Sequence, residues 1–188
     1  MKKVLVPLAI GFEEIEAITI IDTLRRAGIS VTTASFNQEG VKSGVIGAHG
    51  ITILGDSIFS EIVDDHFDMI VLPGGLDGTI NLSENQILLD LIKKMNTQGK
   101  FIAAICAAPA VLAKADILNG RVATCYPGIA DAFKIEGIEF NDSPVVADGN
   151  IITSKGPATA MLFAVALIGI LIGNEKRDEI ASELLIRS

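Results

Sequence analysis

Phe101–Ala115 reads FIAAICAAPAVLAKA. Its first five residues are apolar without polar alternation, the pattern of a strand covered on both faces. Cys106 follows where strand gives way to helix, and Pro109 suits a first helical turn. A thiol at that junction meets free backbone N–H groups and the positive end of a helix dipole. Both favour thiolate, so the sequence predicts a lowered thiol pKa and raised reactivity. The same strand–nucleophile–helix order makes the sharp elbow of hydrolases. The competing reading of Cys106 is a buried structural cysteine.

On either side of this stretch, strands alternate with helices. Lys3–Leu8 reads as a strand, Phe12–Ala27 as a helix closed by Gly28, and Ile29–Phe36 as a second strand. Gly40–Leu54, with four glycines, reads as a hairpin or excursion, and Phe59–Val63 as a short helix. Asp68–Leu72 is a third buried strand ending in Pro73-Gly74-Gly75, and Asn85–Thr97 is a helix capped near Gly99. Arg121–Thr124 reads as a short strand. Pro144–Ala147 and Asn150–Ser154 flank the turn Asp148-Gly149, a hairpin signal. Two helices finish the chain. The order implies βαβ units and a parallel sheet with helices on both faces, an α/β architecture in a single domain over residues 1–188.

Composition narrows the function. The 188 residues are 49% hydrophobic and 20% charged, enough for a full core. A formal charge of −8 repels phosphate backbones and anionic membrane surfaces, and 5% aromatics with no Trp gives bases little to stack on. Neither nucleic acid nor membrane is expected as a partner. Cys106 and Cys125 form no disulfide framework and match no zinc spacing, which points to a reducing, cytoplasmic setting. Gly156–Gly173 runs 18 residues without a charge, close to a bilayer span. No basic flank orders it and an amphipathic helix follows, so it is expected to be buried within the domain or against a partner subunit.

In such a sheet, sites form at the carboxyl ends of the strands. Three segments converge there: residues 9–16, Pro73-Gly74-Gly75, and Cys106-Ala107. Glu13 and Glu14 suit the first turn of a helix, where carboxylates complement the dipole. Ile15 and Ile18 mark the apolar stripe of that helix; Glu16 lies beside it and either faces solvent or points back over the sheet edge. Gly74 and Gly75 either expose N–H groups to an anion or simply make a turn. His49 reads as a surface residue and His66 lies at the opposite edge of the sheet, so no Cys–His dyad is evident.

Four segments, GFEEIEA (11–17), IVLPGG (70–75), AAICAAPAVLA (103–113) and TSKGPATA (153–160), closely resemble the ThiJ/PfpI superfamily in order and separation. The likeness is closest to its DJ-one-like deglycase branch and covers essentially the whole chain. It implies a flavodoxin-like three-layer sandwich and a homodimer. It also implies that Cys106 is the nucleophile and oxidation-sensing thiol, that Glu16 hydrogen-bonds it, and that the N–H groups of Gly75 and Ala107 form an oxyanion-type site.

Activities proposed for the family include a glutathione-independent glyoxalase, a deglycase for glycated amines, a redox-dependent chaperone and a protease. Protease-like members carry His after the nucleophile, where this chain has Ala107. The deglycase branch often has a Thr-His-Pro context, where this chain has Thr124-Cys125-Tyr126-Pro127. Tyr126 could replace the missing His as a hydrogen-bond donor to substrate. Cys125 is either a second redox thiol or an apolar filler. The expected chemistry is cofactor-free: Cys106 adds to an α-oxoaldehyde, and Glu16 shuttles a proton between adjacent carbons to yield a 2-hydroxy acid. For that task the Glu16 pKa is expected to be raised.

Overall fold

The computed structural model describes residues 1–186. Seven strands form the main sheet: β1 (Lys3–Leu8), β2 (Ser30–Ser35), β3 (Ser57–Ile58), β4 (Met69–Leu72), β5 (Phe101–Ile105), β6 (Val145–Asp148) and β7 (Ile151–Ser154). Their spatial order is β6-β7-β5-β4-β1-β2-β3. Every neighbouring pair is parallel except the β6–β7 hairpin. The central run β2-β1-β4-β5-β7 is the flavodoxin-type doubly wound order, with its switch point between β1 and β4. Registers such as Val4↔Met69 and Ile70↔Ile102 bring the carboxyl ends of β1, β4 and β5 side by side.

Helices cover both faces: α1 (Glu14–Arg26), α2 (Leu76–Ser83), α3 (Gln86–Thr97), α4 (Pro109–Lys114), α5 (Ala160–Ile172) and α6 (Asn174–Glu183). The strands deal alternate residues to the two sides, as a period of two requires. Val4, Val6, Met69, Val71, Ala103 and Ile105 pack with Ile20 and Leu24 of α1 and with Phe163 and Leu167 of α5. Leu5, Ile70, Leu72, Ile102 and Ala104 pack with Leu88 and Ile92 of α3 and Val111 and Leu112 of α4. This is the mixed α/β sandwich expected, and the charge-free segment is α5, buried against α1 and α6. No described helix is long and apolar enough to cross a membrane.

The departures are local. The stripe on α1 is rotated from expectation: Ile15 and Ile18 are 58% and 45% exposed, whereas Glu16 is fully buried. Helix α2 starts directly after Gly75, in a stretch to which the sequence reading gives no element. Its sequence, LDGTINLS, hides the helix because Gly78 is needed for close packing: a Cβ there would lie 2.8 Å from the Phe12 nitrogen. The excursion contains a short helix, Gln38–Lys42, and a two-residue antiparallel ladder, Val45–Ile46 with Thr52–Ile53. Val122–Ala123 leaves the main sheet to pair in parallel with Glu139–Phe140, and Ile129–Ala132 forms an unanticipated helical turn.

Candidate active site

Cys106 ends β5 at φ +64°, a strained value for a residue with a side chain. Two backbone bonds hold the bend. The Cys106 N–H donates to the Ser154 carbonyl at 2.9 Å, and the Cys106 carbonyl accepts from the Tyr126 N–H at 2.9 Å. Pro109 then opens α4 at its first position, as its missing N–H allows. The backbone N–H groups of Gly75 and Ala107 both donate toward the Cys106 sulfur. Both favour negative charge on that sulfur.

The glycines of the second segment have no room for a side chain. A Cβ on Gly74 would sit 2.7 Å from the Cys106 Cβ and 2.7 Å from Glu16 Oε2. Gly75 adopts φ +88°, and a Cβ there would lie 2.2 Å from the Gly11 carbonyl oxygen. The Gly74 N–H donates to Glu16 Oε2 at 2.8 Å, and its carbonyl accepts from the Glu13 N–H at 3.0 Å. This stitches the start of α1 to the end of β4 beneath the thiol.

Glu16 faces inward over the sheet edge. Its Oε1 has no hydrogen-bond partner among the described residues, and the carboxyl group as a whole interacts with the Cys106 thiol. Burial raises its pKa to about 7 against the opposing pull of the Gly74 N–H, the raised acid expected from sequence. The thiol departs from expectation. Burial, and then the adjacent Glu16 carboxylate, push Cys106 up to about 12, and the Gly75 and Ala107 N–H groups offset only part of this. The six-residue α4 offers too weak a field to outweigh loss of water around the sulfur. Near neutral pH the thiol therefore keeps its proton, and the Glu16 carboxyl group stands between its two forms.

Neither histidine approaches the thiol. His66 sits with Lys100 and Asp68 at the amino edge of the sheet. His49 is exposed, as expected, but is not idle: Glu14 Oε1 accepts the His49 and Ile51 N–H groups at 2.6 and 3.3 Å, and His49 Nδ1 lies 2.9 Å from Oε2. Glu14 is therefore a buried clamp on the excursion rather than a plain dipole residue, and these bonds hold its pKa down despite burial. The same contact raises that of His49. Glu13, Glu14 and His49 could offer ligand atoms within 4.8 Å of one another, but the His49–Glu14 bond already occupies two of them. A sequence clue to this clamp was Gly47, whose missing Cβ leaves space 2.5 Å from the Glu14 carboxyl group.

Cys125 is half-buried. Its sulfur accepts the Ala130 N–H, and burial raises its pKa. The Tyr126 ring is half exposed and lies against Gly156. The TSKGPATA segment supports this side. Ser154 Oγ donates to the Pro144 carbonyl at 2.8 Å and lies 2.7 Å from Thr159 Oγ1, which accepts the Gly156 N–H at 3.1 Å.

Residues 2–169 match the model of the DJ-1/PfpI family. Protein DJ-1 homolog A of Arabidopsis thaliana is 42% identical over 187 residues, which are 99% of this chain and 47% of that protein; the chain thus spans about half of its length. Protein dj-1beta of Drosophila melanogaster is 43% identical, covering 98% of this chain and 97% of its own. A Pyrococcus abyssi protein named as a deglycase is 40% identical, with 82% and 90% covered. Two solved structures superpose along the whole chain. Drosophila DJ-1beta has a TM-score of 0.91 at 41% identity, covering 100% of this chain and 99% of its own. Oxidized Toxoplasma gondii DJ-1 has 0.92 at 38%, covering 100% of both chains. With fold, elbow and motifs in agreement, the chain belongs to the DJ-1/PfpI family.

Proposed function

We propose that the protein is a cofactor-free glyoxalase or deglycase that converts α-oxoaldehydes, free or as amine adducts, to 2-hydroxy acids. The observation that carries this reading is the buried Glu16 carboxyl group, raised to about 7, in contact with a thiol that keeps its proton. Because the thiol keeps its proton at neutral pH, the reaction does not start from a standing thiolate. Glu16 takes the thiol proton as the sulfur–carbon bond forms to the aldehyde. The N–H groups of Gly75 and Ala107 stabilise the negative charge. Glu16 hands the thiol proton to the hemithioacetal oxygen and, a carboxylate again, takes the proton from the former aldehyde carbon and delivers it to the neighbouring carbon through an enediol; water then cleaves the thioester, releasing the 2-hydroxy acid and restoring the thiol. The aldehyde carbon is oxidised to a carboxylate and the neighbouring carbonyl is reduced to a hydroxyl, so no outside oxidant enters.

The relative named as a deglycase supports this class. The test is lactate formation from methylglyoxal. Cys106→Ser is expected to abolish it and Glu16→Gln to lower it by roughly 10²–10⁴-fold; undiminished turnover in either variant overturns the proposal.

A second reading has its own support. The donors aimed at the sulfur suit a sulfinate as well as an oxyanion, and one relative was solved oxidized. In a redox sensor without turnover, Glu16→Gln changes only the selectivity of sulfinate formation under peroxide. We also propose a homodimer. Ile15 and Ile18 on α1 and Ile46 and Ile51 on the excursion are each about half exposed and belong to segments tied together by the Glu14 clamp.

A further inference from the structure

A cleft of about 370 Å³ is walled by Tyr126, Pro127, Pro144 and Pro157, with Lys155 and Asp142 as its charged groups; Cys106 is not itself among its walls. Both sides are anchored to the nucleophile's own peptide groups: the Cys106 carbonyl holds Tyr126, and the Cys106 N–H holds Ser154, the residue before Lys155. The cleft is therefore fixed relative to the reacting sulfur. Its walls are mainly apolar, and they carry one cation. Lys155 Nζ donates to the Asp142 carboxylate. The two partners are unequal: the Lys155 side chain is 27% exposed, whereas that of Asp142 is 97% exposed. The cation is seated in the cleft, while its anion is a free surface side chain that can leave at little cost.

We propose that this cleft is a specificity subsite for the tail of the substrate, and that it selects α-oxoaldehydes carrying a carboxylate on a short apolar chain. The chain lies against Tyr126 and the prolines, and its carboxylate displaces Asp142 from Lys155. This rests on the oxoaldehyde reading above and names the substrates that site prefers. Lys155 takes no part in the chemistry; it positions the tail so that the aldehyde carbon meets Cys106.

The test compares neutral methylglyoxal with 4,5-dioxopentanoate, an α-oxoaldehyde ending in a carboxylate, on wild type, Lys155→Met, Lys155→Arg and Asp142→Asn. Calorimetry of the expected products, lactate and 2-hydroxyglutarate, accompanies the kinetics. Wild type is expected to show the lower KM for 4,5-dioxopentanoate. Lys155→Met should raise that KM roughly tenfold or more with kcat little changed and methylglyoxal unaffected. Lys155→Arg should restore it, and Asp142→Asn should lower it. Equal KM values in wild type, or equal effects of Lys155→Met on both substrates, overturn the subsite while leaving the reaction intact. Absence of turnover with both substrates, together with 2-hydroxyglutarate binding that Lys155→Met weakens, overturns the reaction and keeps the subsite. Neither turnover nor Lys155-dependent binding overturns both.

Discussion

Glu14 and Glu16 leave the same turn of α1, and both are buried, yet their surroundings drive their acidities apart. Glu14 accepts two backbone N–H groups and faces His49, so its pKa is lowered despite its burial. Glu16 accepts a single N–H, leaves one oxygen without a hydrogen-bond partner among the described residues, and rises to about 7. Depth and donors together set the charge state: Glu16 lies deep beneath the thiol with one N–H to oppose dehydration, whereas Glu14 lies closer to the surface, under exposed His49, with more donors aimed at it. Two carboxyl groups with pKa values pushed apart suit different tasks, and under the proposed reaction Glu16 is the one that reacts. Glu14 clamps the excursion to α1, and Glu16 is left able to exchange a proton with Cys106.

The largest expected effect breaks Glu16. Glu16→Gln should cost roughly 10²–10⁴-fold in turnover yet stabilise the fold at neutral pH. The sign follows from linkage. The folded-state pKa of Glu16 lies above its unfolded value, so the folded chain holds the proton that the unfolded chain loses, and stability falls as pH rises from about 4.5 to about 7. Urea unfolding should show that slope reduced in Glu16→Gln, with a gain on the order of 1–3 kcal/mol at pH 7.5.

Glu14→Ala should do the reverse. It removes the acceptor of the partly covered His49 and Ile51 N–H groups and is expected to cost about 1–2 kcal/mol at neutral pH, with turnover per folded molecule changed only a few-fold. Its pH dependence has the opposite sign. A lowered folded-state pKa gives stability that is present above the unfolded value and lost as pH falls through the folded one, so the gap between wild type and Glu14→Ala should narrow in acid. The smallest change is His49→Gln. It removes one exposed ion pair and keeps the backbone donor, and chemical denaturation should register less than about 1 kcal/mol.

The contrast between the two glutamates also marks where the sequence stopped being readable. The elbow at Cys106 was legible because a buried strand, a nucleophile and Pro109 occur in unbroken succession, and the α/β architecture followed from the alternation around it. The facing of α1 was not. Ile15 and Ile18 look like core residues by period alone, and only the position of Gly74 beneath the thiol turns Glu16 inward. Helix α2 was obscured by Gly78, kept small for its neighbour Phe12 rather than for helix propensity. The thiol's acidity was misjudged from the dipole because dehydration depends on burial, which local sequence does not report. The Glu14–His49 clamp joins residues 35 positions apart, and its one trace in the sequence, Gly47, reads as an ordinary turn glycine until the fold places it against Glu14.

The central claim is that Glu16 holds a proton close to neutrality. Carbon-13 NMR of carboxyl-labelled glutamate, titrated from pH 3 to 9 and assigned by the resonance missing in Glu16→Gln, measures this directly. A midpoint near 7 for Glu16 is the expected result; a midpoint at the ordinary glutamate value of about 4.3 would contradict the account.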